Sequence, residues 1–136
     1  MDGFRLVPHT ADIGLELSGA TWEEFYLNAA RGLLAVYGAT APARRAVGRA
    51  TVVLEAPSAE ELLVDWLNEL VFLVSSERWV PRDIRVKEAG PWALRAQAEG
   101  PRLEAPLARE VKGATYHGLK VARKGGAWTA TVILDI

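Results

Sequence analysis

The sequence predicts a single α+β domain over residues 1–136, two amphipathic helices packed on largely antiparallel β-sheet. Three observations predict it. Two segments, 21–37 and 58–74, place apolar residues at helical spacing behind a helix-start signal. From Trp79 to Glu99 the pattern changes to period two, broken by Pro and Gly as hairpins are. The last third reads as two strands joined by Lys124-Gly125-Gly126.

Composition allows this and narrows the function. With 136 residues, half of them apolar, the chain can bury a sizeable core in one domain. Sixteen basic and 17 acidic residues leave a formal net charge of -1, so no global field draws in nucleic acid or an anionic membrane. Any RNA contact must be local or indirect. No cysteine is present, which removes disulfides, a thiol nucleophile and thiolate zinc sites, and two histidines cannot build a histidine-rich metal site. No signal peptide, transit sequence or spanning apolar run stands out, so a soluble cytoplasmic protein is expected.

Taken in order, Phe4–Val7 reads as a short strand that Pro8 ends, and Ile13–Leu17 resumes with apolar residues at every second position. Ser18-Gly19-Ala20 turns the chain. Thr21 and Glu24 form a capping box, and Trp22, Phe25, Tyr26, Ala29, Ala30, Leu33, Leu34 and Tyr37 make one apolar face ending at Gly38, a left-handed cap. These aromatics are assigned to the core. Residues 39–48 read as a loop, and Arg49–Glu55 as a strand rich in β-branched residues. Ser58 and Glu61 repeat the capping box for a second helix striped by Leu63, Trp66, Leu67, Leu70, Val71 and Val74. Asp65 and Glu69, four apart, share another surface of that helix, where paired carboxylates are ligands or simply solvated. Trp79-Val80 with Ile84–Val86 is expected to be one strand interrupted by Pro81, followed through residues 88–91 by a second at Trp92–Ala98. Leu107–Gly113 is ambiguous between a turn and a strand start. Ala114–Arg123 runs out and Ala127–Ile136 runs back, with Trp128, Ala130, Val132, Leu134 and Ile136 on one face.

The chemistry concentrates at two places. His9-Thr10-Ala11-Asp12-Ile13-Gly14 puts a histidine, a hydroxyl and a carboxylate at a strand-turn-strand junction. Thr10 and Asp12 there also suit an Asx- or ST-turn with no further role. At the other end, Asp135 and the terminal carboxylate of Ile136 offer hard oxygen donors, and Asp12 is the natural third for a cation such as calcium or magnesium. The alternative is that Asp135 only guards a strand end.

Three separated stretches are similar to one known family. They are His9-Thr10-Ala11-Asp12-Ile13-Gly14, Glu61-Leu62-Leu63-Val64-Asp65-Trp66-Leu67-Asn68-Glu69-Leu70, and Glu110-Val111-Lys112-Gly113-Ala114-Thr115-Tyr116-His117 followed by Leu134-Asp135-Ile136. In that order they resemble the archease family along the whole chain. The chain departs from the family where Pro8 replaces an acidic residue and Val111 and Gly113 replace Ile and Ala, so position 8 supplies no donor.

The resemblance implies a small α+β protein that is not itself an enzyme and serves as protein cofactor of the RtcB-type RNA ligase of tRNA splicing and RNA repair. It would promote guanylylation of the ligase histidine by GTP, allow multiple turnover and broaden nucleotide use, meeting RNA only through the ligase. The family's metal-binding carboxylates fall on Asp12 and Asp135, with Ile136 as a further donor, for a divalent cation: calcium first, magnesium or manganese as alternatives. Lys112 is expected to contact the ligase or its nucleotide. His9, Thr10 and His117 would support the site, orienting a ligating carboxylate by a hydrogen bond. Two rival classes follow from the residues themselves. One is a metal-dependent phosphoester hydrolase, which needs more ligands and a positioned base. The other is a general chaperone or RNA-binding module, for which the aromatics spent on helix cores leave no stacking platform.

Overall fold

The fold is seen in a computed structural model, which describes residues 3–8, 12–38, 47–103 and 107–136. Among the described residues it has eight strands and two helices: β1 (Phe4–Pro8), β2 (Asp12–Gly19), α1 (Trp22–Tyr37), β3 (Gly48–Glu55), α2 (Ala59–Ser75), β4 (Asp83–Ala89), β5 (Ala93–Gly100), β6 (Gly113–Thr115), β7 (Ala122–Lys124) and β8 (Ala127–Asp135). All strand pairs are antiparallel.

The helices start where the sequence says they should. Glu24 N–H donates to Thr21 Oγ1 at 3.1 Å, and Glu61 N–H donates to Ser58 Oγ at 3.1 Å, each filling a backbone donor the first turn leaves open. The reciprocal half of the first box is displaced: Glu24 Oε2 accepts from Ala20 N–H at 2.9 Å, one residue before the cap. Gly38 closes α1 in the left-handed region at φ 63°. Replacing Thr21 or Ser58 with alanine is expected to cost about 1 kcal/mol each, read as a lower denaturation midpoint.

The strands form two sheets, which alternation alone does not reveal. The larger, five-stranded sheet runs β1-β2-β8-β6, with β7 also on β8; the smaller runs β3-β5-β4. Both helices lie between them. α1 packs on β1 and β2 of one sheet and β4 of the other, and α2 packs on β6 and β3. Cover on both sides explains why α2 is buried beyond the expected stripe: Leu62, Val64 and Leu73 join Leu63, Trp66, Leu67, Leu70, Val71 and Val74 in the core. The aromatics are core, as expected. Phe25, Tyr26, Tyr37 and Trp66 are almost wholly buried, and half-buried Trp22 stacks on Trp128 with ring centroids 4.1 Å apart. No helix is long and apolar enough to cross a membrane among the described residues.

Two expected strands are corrected. Trp79 and Val80 do not belong to β4: Trp79 makes an isolated bridge to Arg102, and Val80 N–H donates to Pro101 O at 2.9 Å, so the chain leaves α2 across the sheet's end before β4 begins at Asp83. Pro81 lacks the N–H that a continuous ladder needs. Ala114–Arg123 is not one strand either. Gly118 turns in the left-handed region at φ 63°, Leu119 N–H donates to Tyr116 O at 3.0 Å, and the run divides into β6 and β7 on the two ends of β8. The Lys124-Gly125-Gly126 turn stands, with both glycines at positive φ. Of the ambiguous stretch, only Gly113 enters a strand.

The buried tyrosines give the fold an alkaline limit. Burial raises the Tyr26 hydroxyl strongly, and burial together with the nearby negative charge of Glu110 pushes Tyr37 up to about 12. The folded chain therefore holds these protons where an unfolded tyrosine, titrating near ~10, has lost them. The contribution is complete below that pH and is lost as pH rises from about 10 towards 12. Tyrosinate absorbance should show Tyr116, which is exposed, ionising with the fold intact, and Tyr26 and Tyr37 ionising together with unfolding.

Candidate acidic site on the large sheet

Asp12 is the first residue of β2 and Asp135 the last of β8, and the register sets them directly opposite each other. Their neighbours Ile13 and Leu134 are buried, so alternation turns both aspartates to the sheet face away from the helices. Directly paired residues hold their Cβ atoms roughly 4.5–5.5 Å apart, and two carboxylates at that separation repel unless a cation or donor lies between them. Asp135 is exposed; Asp12 is half-buried, with Oδ1 shielded from solvent.

β6 closes the other side of Asp135. Gly113 is its partner in register, and Lys112 N–H donates to Asp135 O at 2.8 Å. Lys112 is exposed, while Val111 before it is buried. Ile136, half-buried, continues from Asp135.

The structure thus brings together Asp12, Asp135, Lys112 and Ile136. His117 is not gathered with them: it leaves β6 at the end remote from Asp135, in the exposed turn before Gly118. His9 and Thr10 lie outside the described residues. Asp65 and Glu69 remain on α2, Asp65 exposed. Asn68, which the sequence offers only as part of the family-like stretch 61–70, makes a contact in this region. Asn68 Oδ1 accepts from Ala114 N–H at 2.8 Å, fastening α2 to β6; an asparagine in the middle of a helix, a poor helix former, was the available signal.

The donors have the right chemistry for a hard divalent cation. Two carboxylates and a main-chain oxygen of Ile136 suit calcium or magnesium, which take oxygen ligands. They are only part of a shell: among the described residues no group of three or more His, Asp or Glu forms a metal-holding cluster. Calcium takes about 6–8 ligands, so water or a partner would supply the rest.

Comparison with known proteins agrees over nearly the whole chain. Residues 4–136 match the model of the Archease protein family. The chain is 34% identical to protein archease of Methanosarcina barkeri, over 98% of this chain and 95% of that protein, and 33% identical to protein archease of Pyrococcus furiosus, over 94% of each. Among solved structures it is similar to protein 1598 of Methanobacterium thermoautotrophicum, with a TM-score of 0.74, 29% identity and 100% of both chains covered. It is also similar to an archease from Thermotoga maritima described as a possible chaperone, with a TM-score of 0.70, 27% identity, and 96% of this chain and 94% of that one covered.

Proposed function

The chain belongs to the archease family, and from that premise we propose that it is a cytoplasmic protein activator of an RtcB-type RNA ligase in tRNA splicing and RNA repair. It promotes guanylylation of the ligase by GTP and multiple turnover, performs no bond chemistry itself, and meets RNA only through the ligase. The observation that supports this reading is the direct pairing of Asp12 with Asp135 at the ends of β2 and β8, with the backbone N–H of exposed Lys112 bonded to Asp135 O.

An activator works by binding the competent state of its partner more tightly than the other; without that difference it shifts nothing. The acidic pair supplies the difference. Asp12 and Asp135, with the Ile136 main-chain oxygen, would hold a divalent cation, calcium before magnesium or manganese, which when bound offers a positive centre to a carboxylate or phosphate of the partner. Lys112, whose backbone N–H is bonded to Asp135 O, would add an ammonium, a point charge suited to phosphate oxygens. His9 and Thr10 keep the supporting roles expected of them, whereas His117, remote from Asp135, is given none at the carboxylates. The strand pair keeps these groups on a rigid element, which lowers the cost of ordering them when the partner docks.

The test is guanylylation of the cognate ligase, single-turnover and steady-state, with and without the purified protein. Acceleration of both is expected, and the protein alone should turn over neither nucleotides nor phosphoesters with added divalent metal. A ligase indifferent to the protein would remove the proposal.

A further inference from the structure

The central helix segment, 61–70, carries no part of the site just described, yet one of its residues touches it. We propose that Asn68 is a positioning residue that sets Lys112 against Asp135; the inference rests on the functional reading of that site.

β6 is three residues long and is the last strand of its sheet, so among the described residues one of its edges has no neighbouring strand. Asn68 takes that place: its Oδ1 accepts the Ala114 N–H at 2.8 Å from α2. Helix and strand are close at this point, since a Cβ on Gly113 would stand 3.1 Å from the same oxygen. The four residues 111–114 are therefore fixed at each step. Val111 is buried, Lys112 N–H is on Asp135 O, Gly113 faces Asp135 in register, and Ala114 N–H is on Asn68. The backbone under Lys112 is held from both sides while its side chain stays exposed. Without the Asn68 bond, the end of a three-residue edge strand hangs on β8 alone, and the lysine loses its fixed origin.

The same helix carries an internal control. Glu60 Oε2 accepts from Val121 N–H at 2.7 Å, a bond of the same kind eight residues earlier and at the far end of the segment that β6 begins. It fastens the chain to α2 remote from Lys112.

The experiment compares Asn68→Ala, which removes the acceptor, Asn68→Asp, which keeps one, and Glu60→Ala, in the full-length protein. Amide hydrogen exchange at Ala114 and Val121 is read on the protein alone, and ligase guanylylation is read at saturating protein. Asn68→Ala should speed exchange at Ala114 but not at Val121 and lower the stimulation several-fold, up to about tenfold for one net hydrogen bond. Asn68→Asp should restore both. Glu60→Ala should speed exchange at Val121 and leave stimulation unchanged. The proposal is overturned if Asn68→Ala leaves Ala114 exchange unchanged, if it frees Ala114 without loss of stimulation, if Asn68→Asp does not rescue, or if Glu60→Ala costs as much stimulation as Asn68→Ala. If the wild-type protein gives no stimulation, the functional reading falls instead, and the exchange rates alone judge the Asn68 link.

Discussion

Replacing Trp66 with alanine is expected to lower the stability of the fold by about 3–5 kcal/mol, the largest effect of any single truncation in the helix layer. Trp66 has no exposed surface and is the largest of the fully buried side chains. Its neighbours are fixed on both sides by the two sheets, so the space it leaves cannot collapse easily. It also ties the helices together: its Nε1–H donates to Tyr26 O on α1 at 2.9 Å, and the Tyr26 hydroxyl donates onward to Gly90 O at 2.8 Å, in the turn between β4 and β5. One side chain thus links α2, α1 and the smaller sheet. The change should lower the melting temperature by roughly 10–20 °C for a chain of this size. Trp66→Phe keeps most of the buried area and gives up the hydrogen bond, so it should cost much less than the alanine change. Equal losses from the two would show that the indole N–H, not the packing, carries the effect.

Gly100→Ala is expected to be nearly as harmful by the opposite route, adding an atom where the backbone leaves no room. A Cβ on Gly100 would run into the main-chain carbonyl of Val80. That carbonyl cannot swing aside, because Val80 N–H is bonded to Pro101 O and Arg82 N–H to Val80 O itself, at 2.9 and 2.8 Å. Gly100 pairs in register with Gly48, and there too a Cβ would meet a neighbour, the ring of Trp79. The pair of glycines is the gap through which residues 79–80 cross the end of the small sheet. Overpacking typically costs about 1–3 kcal/mol, and the upper end is expected at Gly100, where only backbone can move. Denaturant unfolding should show a lower midpoint with an unchanged slope. A midpoint within error of wild type would mean that the crossing is looser than the geometry requires.

Much of this architecture was legible locally. Thr21, Ser58, Gly38 and the Gly125-Gly126 turn each act through their own few residues, so their signals survive in the sequence and the structure agrees with them. What was not legible depends on partners distant in the chain. The period-two runs do not say that β3, β4 and β5 leave the other strands to form a second sheet, because alternation reports that a face is buried and not what buries it. The added burial of Leu62, Val64 and Leu73 follows from that second layer. Trp79 and Val80 look like a strand since they are apolar and well spaced, yet their bonds go to Arg102 and Pro101 across the sheet's end. In the site, the sequence leads to the expectation that neighbouring strands bring Asp12 and Asp135 together, and β2 and β8 do pair; only the residue-for-residue opposition is a matter of register. The contact of Asn68 was not readable, because its partner lies 46 positions further along.

The central claim is that the Asp12–Asp135 pair is the working centre of a ligase activator. The most direct measurement is ligase guanylylation with wild type, Asp12→Asn, Asp135→Asn and the double variant, each first shown to be folded by its melting temperature. Asparagine keeps the size and removes the charge, so each variant isolates the carboxylate's charge from its bulk. The account predicts folded variants that stimulate the ligase at least tenfold less than wild type, with the double variant no worse than the singles because the two carboxylates act as one unit. Folded variants that activate as wild type does would contradict it.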